Sequence, residues 1–139
     1  MALLFDIETD GFLDVVTTIH CLVIKDTEDG KVETYYGKEK LKWGLDRLMA
    51  ADLIAGHNVI KYDLPVLEKL YPWFKVDRSK VFDTLVATRL IWANVKDTDN
   101  ALLKKGTLPG KLFGSHSLEA WGYRLGNYKG DYKGGWETF

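Results

Sequence analysis

FDIETDG, residues 5–11, is the stretch on which both the fold and the chemistry turn. An apolar run from Met1 to Phe5 leads into two carboxylates, Asp6 and Glu8, and breaks at Asp10-Gly11. Side chains alternate across a strand, so residues two apart share a face. A strand over 2–8 therefore sets Asp6 and Glu8 side by side and turns Phe5 and Ile7 the other way. Adjacent like charges repel unless something positive lies between them. A metal ion, a neighbouring lysine or simply water can meet that need.

Working outward, Thr17 to Lys25 (TTIHCLVIK) is β-rich, DTEDG at 26–30 is turn chemistry, and KVETYY at 31–36 alternates like a partner strand. Strands linked this tightly are expected to be antiparallel. Leu41, Leu45, Leu48 and Met49 then fall at helical spacing. LIA at 53–55 reads as a short buried strand ending at Gly56. Leu64, Leu67 and Leu70 mark a helix with Pro65 in its first turn. Val81-Phe82 reads as one more short strand, and Asp83 as the cap of a helix reaching about Trp92. Residues 94–114 lack a sustained period and read as a long connection carrying Lys96, Lys104, Lys105 and Lys111. Ser117 to Leu125 reads as a helix with Leu118, Trp121 and Leu125 on one face, closed by Gly126. The tail, NYKGDYKGGWETF, is too rich in glycine for a helix. Antiparallel strands followed by strand–helix alternation predict an α/β fold with a mixed sheet.

Bulk properties narrow the classes. The chain has 139 residues, 46% hydrophobic and 28% charged, which suits one globular domain and neither a disordered chain nor a membrane span. No signal peptide is expected, because acids follow the first apolar run at once. The single cysteine, Cys21, reads as a small core residue, and a reducing, cytoplasmic setting is expected. Residues 1–55 carry 6 basic and 11 acidic side chains, whereas 56–133 carry 13 basic and 8 acidic. An acidic front suits cations and a basic back suits a polyanion; chance segregation of solvated charge gives the same count.

In open α/β sheets, ligands gather at the carboxyl ends of strands. Asp6 and Glu8 end the first strand, and GHNVIKYD, 56–63, leaves the LIA strand near the same edge, bringing Asp63 toward them. Three acids from two strand ends could hold two divalent cations about 3.5–4 Å apart, the arrangement used in phosphodiester chemistry. Oxygen-only ligands point to Mg²⁺ or Mn²⁺, and no Cys or His spacing suggests zinc. Each piece has a plainer reading. A D-x-E ending a strand is common, and Asp63, two residues before Pro65, could be an N-cap. Asp83 reads as a cap, His57 as the partner of a backbone group, and His20 and His116 as strand and loop residues.

Taken together, Asp6-Ile7-Glu8-Thr9 and Asn58 with Tyr62-Asp63 (N-x3-[FY]-D) resemble the first two motifs of the DEDD 3′–5′ exonucleases, which have a ribonuclease H-like fold. FDTLVATRLI at 82–91 and SHSLEAWGYRLG at 115–126 resemble that family's following helices. HNVIKYDLP, VKDTDNALLKKGTLPGK and FGSHSLEAWGYRLG look like the proofreading domain of family A DNA polymerases from short-tailed phages. The resemblance covers nearly the whole chain and implies an exonuclease-like domain over 1–126. It implies metal ligation by Asp6, Glu8 and Asp63, and removal of the 3′-terminal nucleotide of single-stranded DNA. Thr9, Asn58 and Tyr62 would line the pocket of that nucleotide. Lys104, Lys105 and Lys111 would follow the phosphate backbone, or be solvated surface lysines.

The family's third motif, Tyr-x3-Asp on a late helix, has no match: Tyr128 and Asp131 are one residue too close. The expectation is a chain ending before that helix, short of a fourth acidic ligand, with apolar surface open to self-association or to a polymerase chain. The alternative is a non-catalytic module on the same fold that binds nucleic acid or completes a polymerase.

Overall fold

Alternation along Ala2–Thr9 builds β1 as the sequence predicts: Leu3, Phe5 and Ile7 are buried, while Leu4, Asp6 and Glu8 are exposed. The computed structural model describes residues 1–127, and its first compact unit, Met1–Val86, is organised round this strand. β2 (Ile19–Asp26) pairs antiparallel with β1, and β3 (Val32–Tyr35) pairs antiparallel with β2. Their turn closes where Gly30, at φ +73°, donates its N–H to the Asp26 carbonyl at 2.9 Å. The β1–β2 register shifts between Glu8 and Thr9, where Glu8 faces Cys21 and Thr9 faces Ile19, leaving His20 as the extra residue of a bulge.

α1 (Lys38–Ala50) buries Leu41, Leu45 and Leu48, the expected stripe. Gly44 lets it lie tight on the sheet: a Cβ there would sit 2.7 Å from Leu22 and 2.9 Å from the Tyr35 ring. β4 (Leu53–Gly56) runs parallel to β1, with Leu3 opposite Ile54. A π-turn, Val59–Asp63, leads into α2 (Leu64–Leu70), which buries Leu64, Val66 and Leu67 and carries Pro65 in its first turn. β5 (Val81–Asp83) pairs parallel with β4. The strand order is β3-β2-β1-β4-β5, so β1 is the central strand of a five-stranded mixed sheet. This is the α/β arrangement expected of a ribonuclease H-like chain. Among the described residues no helix is long and apolar enough to cross a membrane.

α3 (Thr84–Ile91) leaves β5, and the second compact unit begins at Ala87. The segment 94–114, expected to be irregular, instead contains the helix α4 (Val95–Lys105) and a 3₁₀ turn, Gly110–Leu112. The reason its period is hidden is chemical. Val95 and Asp99 are the buried positions of α4, so an acid stands where an apolar stripe would show. Arg124 of α5 (Leu118–Leu125) pairs with it through Nε to Oδ1 at 2.9 Å and Nη2 to Oδ2 at 2.8 Å. Gly106, left-handed at φ +74°, ends α4, and Lys104 and Lys105 fill its last turn, where the helix dipole favours cations.

α5 begins and ends as expected: the Ser117 hydroxyl accepts from Ala120 N–H, and Gly126 closes it in the left-handed region. The buried face differs. Ala120 is its buried residue, whereas Leu118 and Leu125 are 53% and 74% exposed. Cys21, expected in the core, is only half-buried, because it lies opposite Glu8 and not opposite a core position of β1. Tyr128 and Asp131, with the rest of 128–139, lie outside the described residues.

Candidate functional site

β1 extends past its partner β4: the last pair between them is Leu4 with Ala55, while Asp6 and Glu8 lie further along. At that step the Asp63 carboxylate accepts the Ile7 backbone N–H. Asp63 is buried, and burial, followed by repulsion from Asp6, pushes its carboxyl up to about 8. Its Oδ2 is buried without a hydrogen-bond partner. The N-cap reading of Asp63 fails, since its side chain makes no capping bond to α2. A buried acid left with an unsatisfied oxygen beside a second acid is the electrostatic setting that a cation would relieve.

Asp63 is delivered by unusual backbone. Gly56 ends β4 where a Cβ would stand 2.4 Å from Val59 Cγ1 and 2.8 Å from the Phe5 carbonyl oxygen, so only glycine permits the approach. Asn58 then takes the left-handed conformation at φ 62°, and its own side chain makes no capping bond to the π-turn. Asp83 serves instead. Its Oδ1 accepts from Asn58 N–H and Leu85 N–H, both at 2.9 Å, and its Oδ2 accepts from Ile60 N–H at 3.0 Å. Asp83 is thus the cap of α3 that the sequence predicts and, in addition, the cap of the π-turn.

Thr9 and Tyr62 meet: their hydroxyls lie 2.5 Å apart, and Tyr62 Oη donates to the Gly11 carbonyl at 2.5 Å. The pair fastens the exit of β1 to the π-turn beside Asp63. Asp10 ties the following loop by accepting the backbone N–H groups of Thr17 and Thr18 and the Thr17 hydroxyl, which holds its carboxyl down at about 2. His57 Nδ1 lies 2.9 Å from Thr84 Oγ1.

The expected residues are therefore brought together only in part. Asp6 and Asp63 are brought into electrostatic contact, and Thr9 and Tyr62 into hydrogen-bond contact. Glu8 lies on the Asp6 face of β1, where both charges reach the Cys21 thiol and, after burial, push it up. Among the described residues no three His, Cys, Asp or Glu side chains stand close enough to hold a metal ion together. The donors still suit a hard divalent cation: all are carboxylate oxygens, and Asp63 offers one without a partner. Lys104, Lys105 and Lys111 belong to the second unit and are exposed there. Lys96 is engaged locally, with its ammonium 6.0 Å from the centre of the Phe113 ring.

Two features escaped the sequence reading. The π-turn has no local signature, and the double duty of Asp83 joins residues 23 and 25 positions apart. A glycine ending a strand just before an asparagine was the one available cue, since asparagine tolerates the left-handed conformation.

No protein-family model matches the chain. It is 49% identical over 140 residues to the DNA-directed DNA polymerase of Enterobacteria phage T3 and 47% identical over 137 residues to that of Escherichia phage T7. These alignments cover 94% and 92% of the chain but only 20% and 19% of the polymerases. Among solved structures, the family B DNA polymerase from the hyperthermophilic archaeon Pyrobaculum calidifontis aligns with TM-score 0.40 and 23% identity, over 54% of this chain and 11% of that one. The chain spans about a fifth of the phage enzymes it matches, and it is homologous to that segment of the T3 and T7 DNA polymerases.

Proposed function

We propose that the chain is the 3′–5′ exonuclease part of a phage-type DNA polymerase, removing 3′-terminal nucleotides from single-stranded DNA by hydrolysis. The observation that carries this reading is the buried, unpartnered Asp63 Oδ2 beside Asp6 at the end of the central strand. Homology to phage DNA polymerases supplies the context of a DNA 3′ end.

Mg²⁺ or Mn²⁺ held by Asp6, Glu8 and Asp63 would supply charge neutralisation and an activated water for phosphodiester cleavage. The chain's own residues set up the rest. Asp6 and Asp63 bring their charges together from two elements, and Ile7 N–H fixes one oxygen of Asp63. Asp83 and Gly56 hold the π-turn that presents Asp63. Thr9 and Tyr62, bonded to each other, form a rigid wall beside the acids on which a terminal nucleotide can rest, with Asn58 at the start of the same turn. Lys104, Lys105 and Lys111 are exposed cations suited to phosphates.

A second reading, a module that binds DNA or completes a polymerase without cutting, is favoured by one observation: no three acids stand gathered as a metal site among the described residues. The test separates the two. Purified chain is incubated with 5′-labelled single-stranded DNA in Mg²⁺, Mn²⁺ or EDTA, with Asp6→Ala and Asp63→Asn as controls. Stepwise 3′ shortening that requires metal and disappears in both variants is expected. DNA binding without shortening selects the second reading, and shortening that survives Asp6→Ala overturns the first.

A further inference from the structure

Asp83 is used twice, and its second use bears directly on the site. A helix leaves its first amides without partners inside the helix, and its N-cap side chain ordinarily serves one of them. The π-turn Val59–Asp63 receives no such service from Asn58, whose side chain makes no cap bond. The missing acceptor comes from the end of the neighbouring strand, where Gly56 of β4 lies opposite Asp83 of β5. Both Asp83 oxygens are committed, one to Asn58 N–H and the other to Ile60 N–H. These amides flank Val59, which is fully buried against the position where a Gly56 Cβ would stand.

The turn is therefore pinned at its first residues by Asp83 and at its last by the bond from Ile7 N–H to Asp63. Between them lies a single π-turn of five residues, too short to absorb slack. Charged acceptors bind backbone amides about twice as strongly as neutral ones. Removing one such anchor should let the turn relax toward ordinary α-helical geometry, which re-aims its final residue. That final residue is Asp63.

We infer that Asp83 is a positioning residue for Asp63: its carboxylate holds the π-turn in the one geometry that brings the Asp63 carboxylate to Ile7 N–H and Asp6. The inference rests on the exonuclease reading for its catalytic meaning, but the geometry it predicts can be read without catalysis. Asp83 acts through the backbone it holds, beside a smaller direct repulsion of the Asp63 carboxylate.

The test compares wild type with Asp83→Asn, which keeps one acceptor oxygen, and with Asp77→Asn, which removes charge from a surface cap elsewhere in the same unit. Four measurements are made on each: folding by circular dichroism, Mn²⁺ binding by water-proton relaxation, the Ile7 and Ile60 amide signals by NMR, and the kinetics of 3′ shortening. The expected result is a folded Asp83→Asn chain with Mn²⁺ affinity at least tenfold weaker, and with Ile7 amide exchange at least tenfold faster. On exonuclease substrate its kcat should fall while KM for DNA holds. Asp77→Asn should match wild type throughout. If wild type binds no Mn²⁺ and cuts no DNA, the exonuclease reading fails, and the Ile7 amide alone decides the positioning role. Unchanged Ile7 exchange in a folded Asp83→Asn chain overturns the inference. So does failure of Asp83→Asn to fold, which would make Asp83 a residue of the core structure and nothing more specific.

Discussion

Replacing Asp63 with asparagine should make the metal-free protein more stable, and the gain should depend on pH in a defined way. The ordinary carboxyl value is 3.8, and burial with repulsion from Asp6 moves it to about 8 in the folded chain. The folded state therefore holds this proton more tightly than the unfolded chain does. Below pH 3.8 both states are protonated and the group has no effect. As pH rises, the unfolded chain ionises first, and stability falls until the folded chain ionises near 8. The interval between 3.8 and about 8, at about 1.4 kcal/mol per pH unit, sets a loss on the order of 5 kcal/mol when the site does not relax. Water entering beside the ionised group would halve it, so Asp63→Asn should gain about 2–5 kcal/mol at pH 8 and nothing near pH 4. Mg²⁺ or Mn²⁺ at 100 times Kd stabilises wild type by about 2.7 kcal/mol and should therefore narrow or cancel that difference. Urea unfolding of both proteins from pH 4 to 8.5, in EDTA and then in Mn²⁺, measures all of this. Parallel pH curves for the two proteins in EDTA would refute the reasoning.

Gly56→Ala forces a methyl group against the Phe5 carbonyl and Val59, and should cost about 1–3 kcal/mol in thermal or urea unfolding while abolishing 3′ shortening. Arg124→Met leaves the fully buried Asp99 carboxylate without its guanidinium partner, held only by the Gly114 N–H at 2.9 Å, and should cost about 3–5 kcal/mol; adding Asp99→Leu should restore part of that loss. The Arg124 hydrogen bonds hold the Asp99 carboxyl below its ordinary 3.8, so its contribution is present above that pH and is lost on acidification. An Asp99→Asn chain should accordingly show a shallower acid-unfolding curve than wild type. Tyr62→Phe removes the bonds to Thr9 and Gly11, and should raise KM for DNA in the shortening assay while lowering stability by about 1 kcal/mol.

Period and alternation carried the first unit. The strict in–out order of Leu3 to Glu8, the stripe of Leu41, Leu45 and Leu48, and the turn at Asp26–Gly30 are local signals, and all appear where they were read. The convergence of Asp6 and Asp63 was legible because parallel neighbours carry their ends to one edge of a sheet. What stayed hidden depends on partners distant in sequence. α4 looked aperiodic because its inward position is Asp99, apolar in effect only once Arg124 covers it. The exposed Leu118 and Leu125 lie on the face the sequence would bury, because periodicity reports a stripe without saying what meets it. The π-turn is set by Gly56, Asn58 and Asp83 acting together, and no window of contiguous residues contains all three at a recognisable spacing.

The strand order also has a consequence for how the site comes into being. β1, β2 and β3 form a meander closed by short connections, so their pairing needs only local loop closure and can form early. β4 must cross back beside β1 after α1, and the π-turn can dock only after β4 is in place. The two acids can therefore meet only once β4 and the π-turn are docked. A late repulsion weakens the completed fold without obstructing its nucleus, so relieving it, as Asp63→Asn does, should slow unfolding and leave the folding rate nearly unchanged.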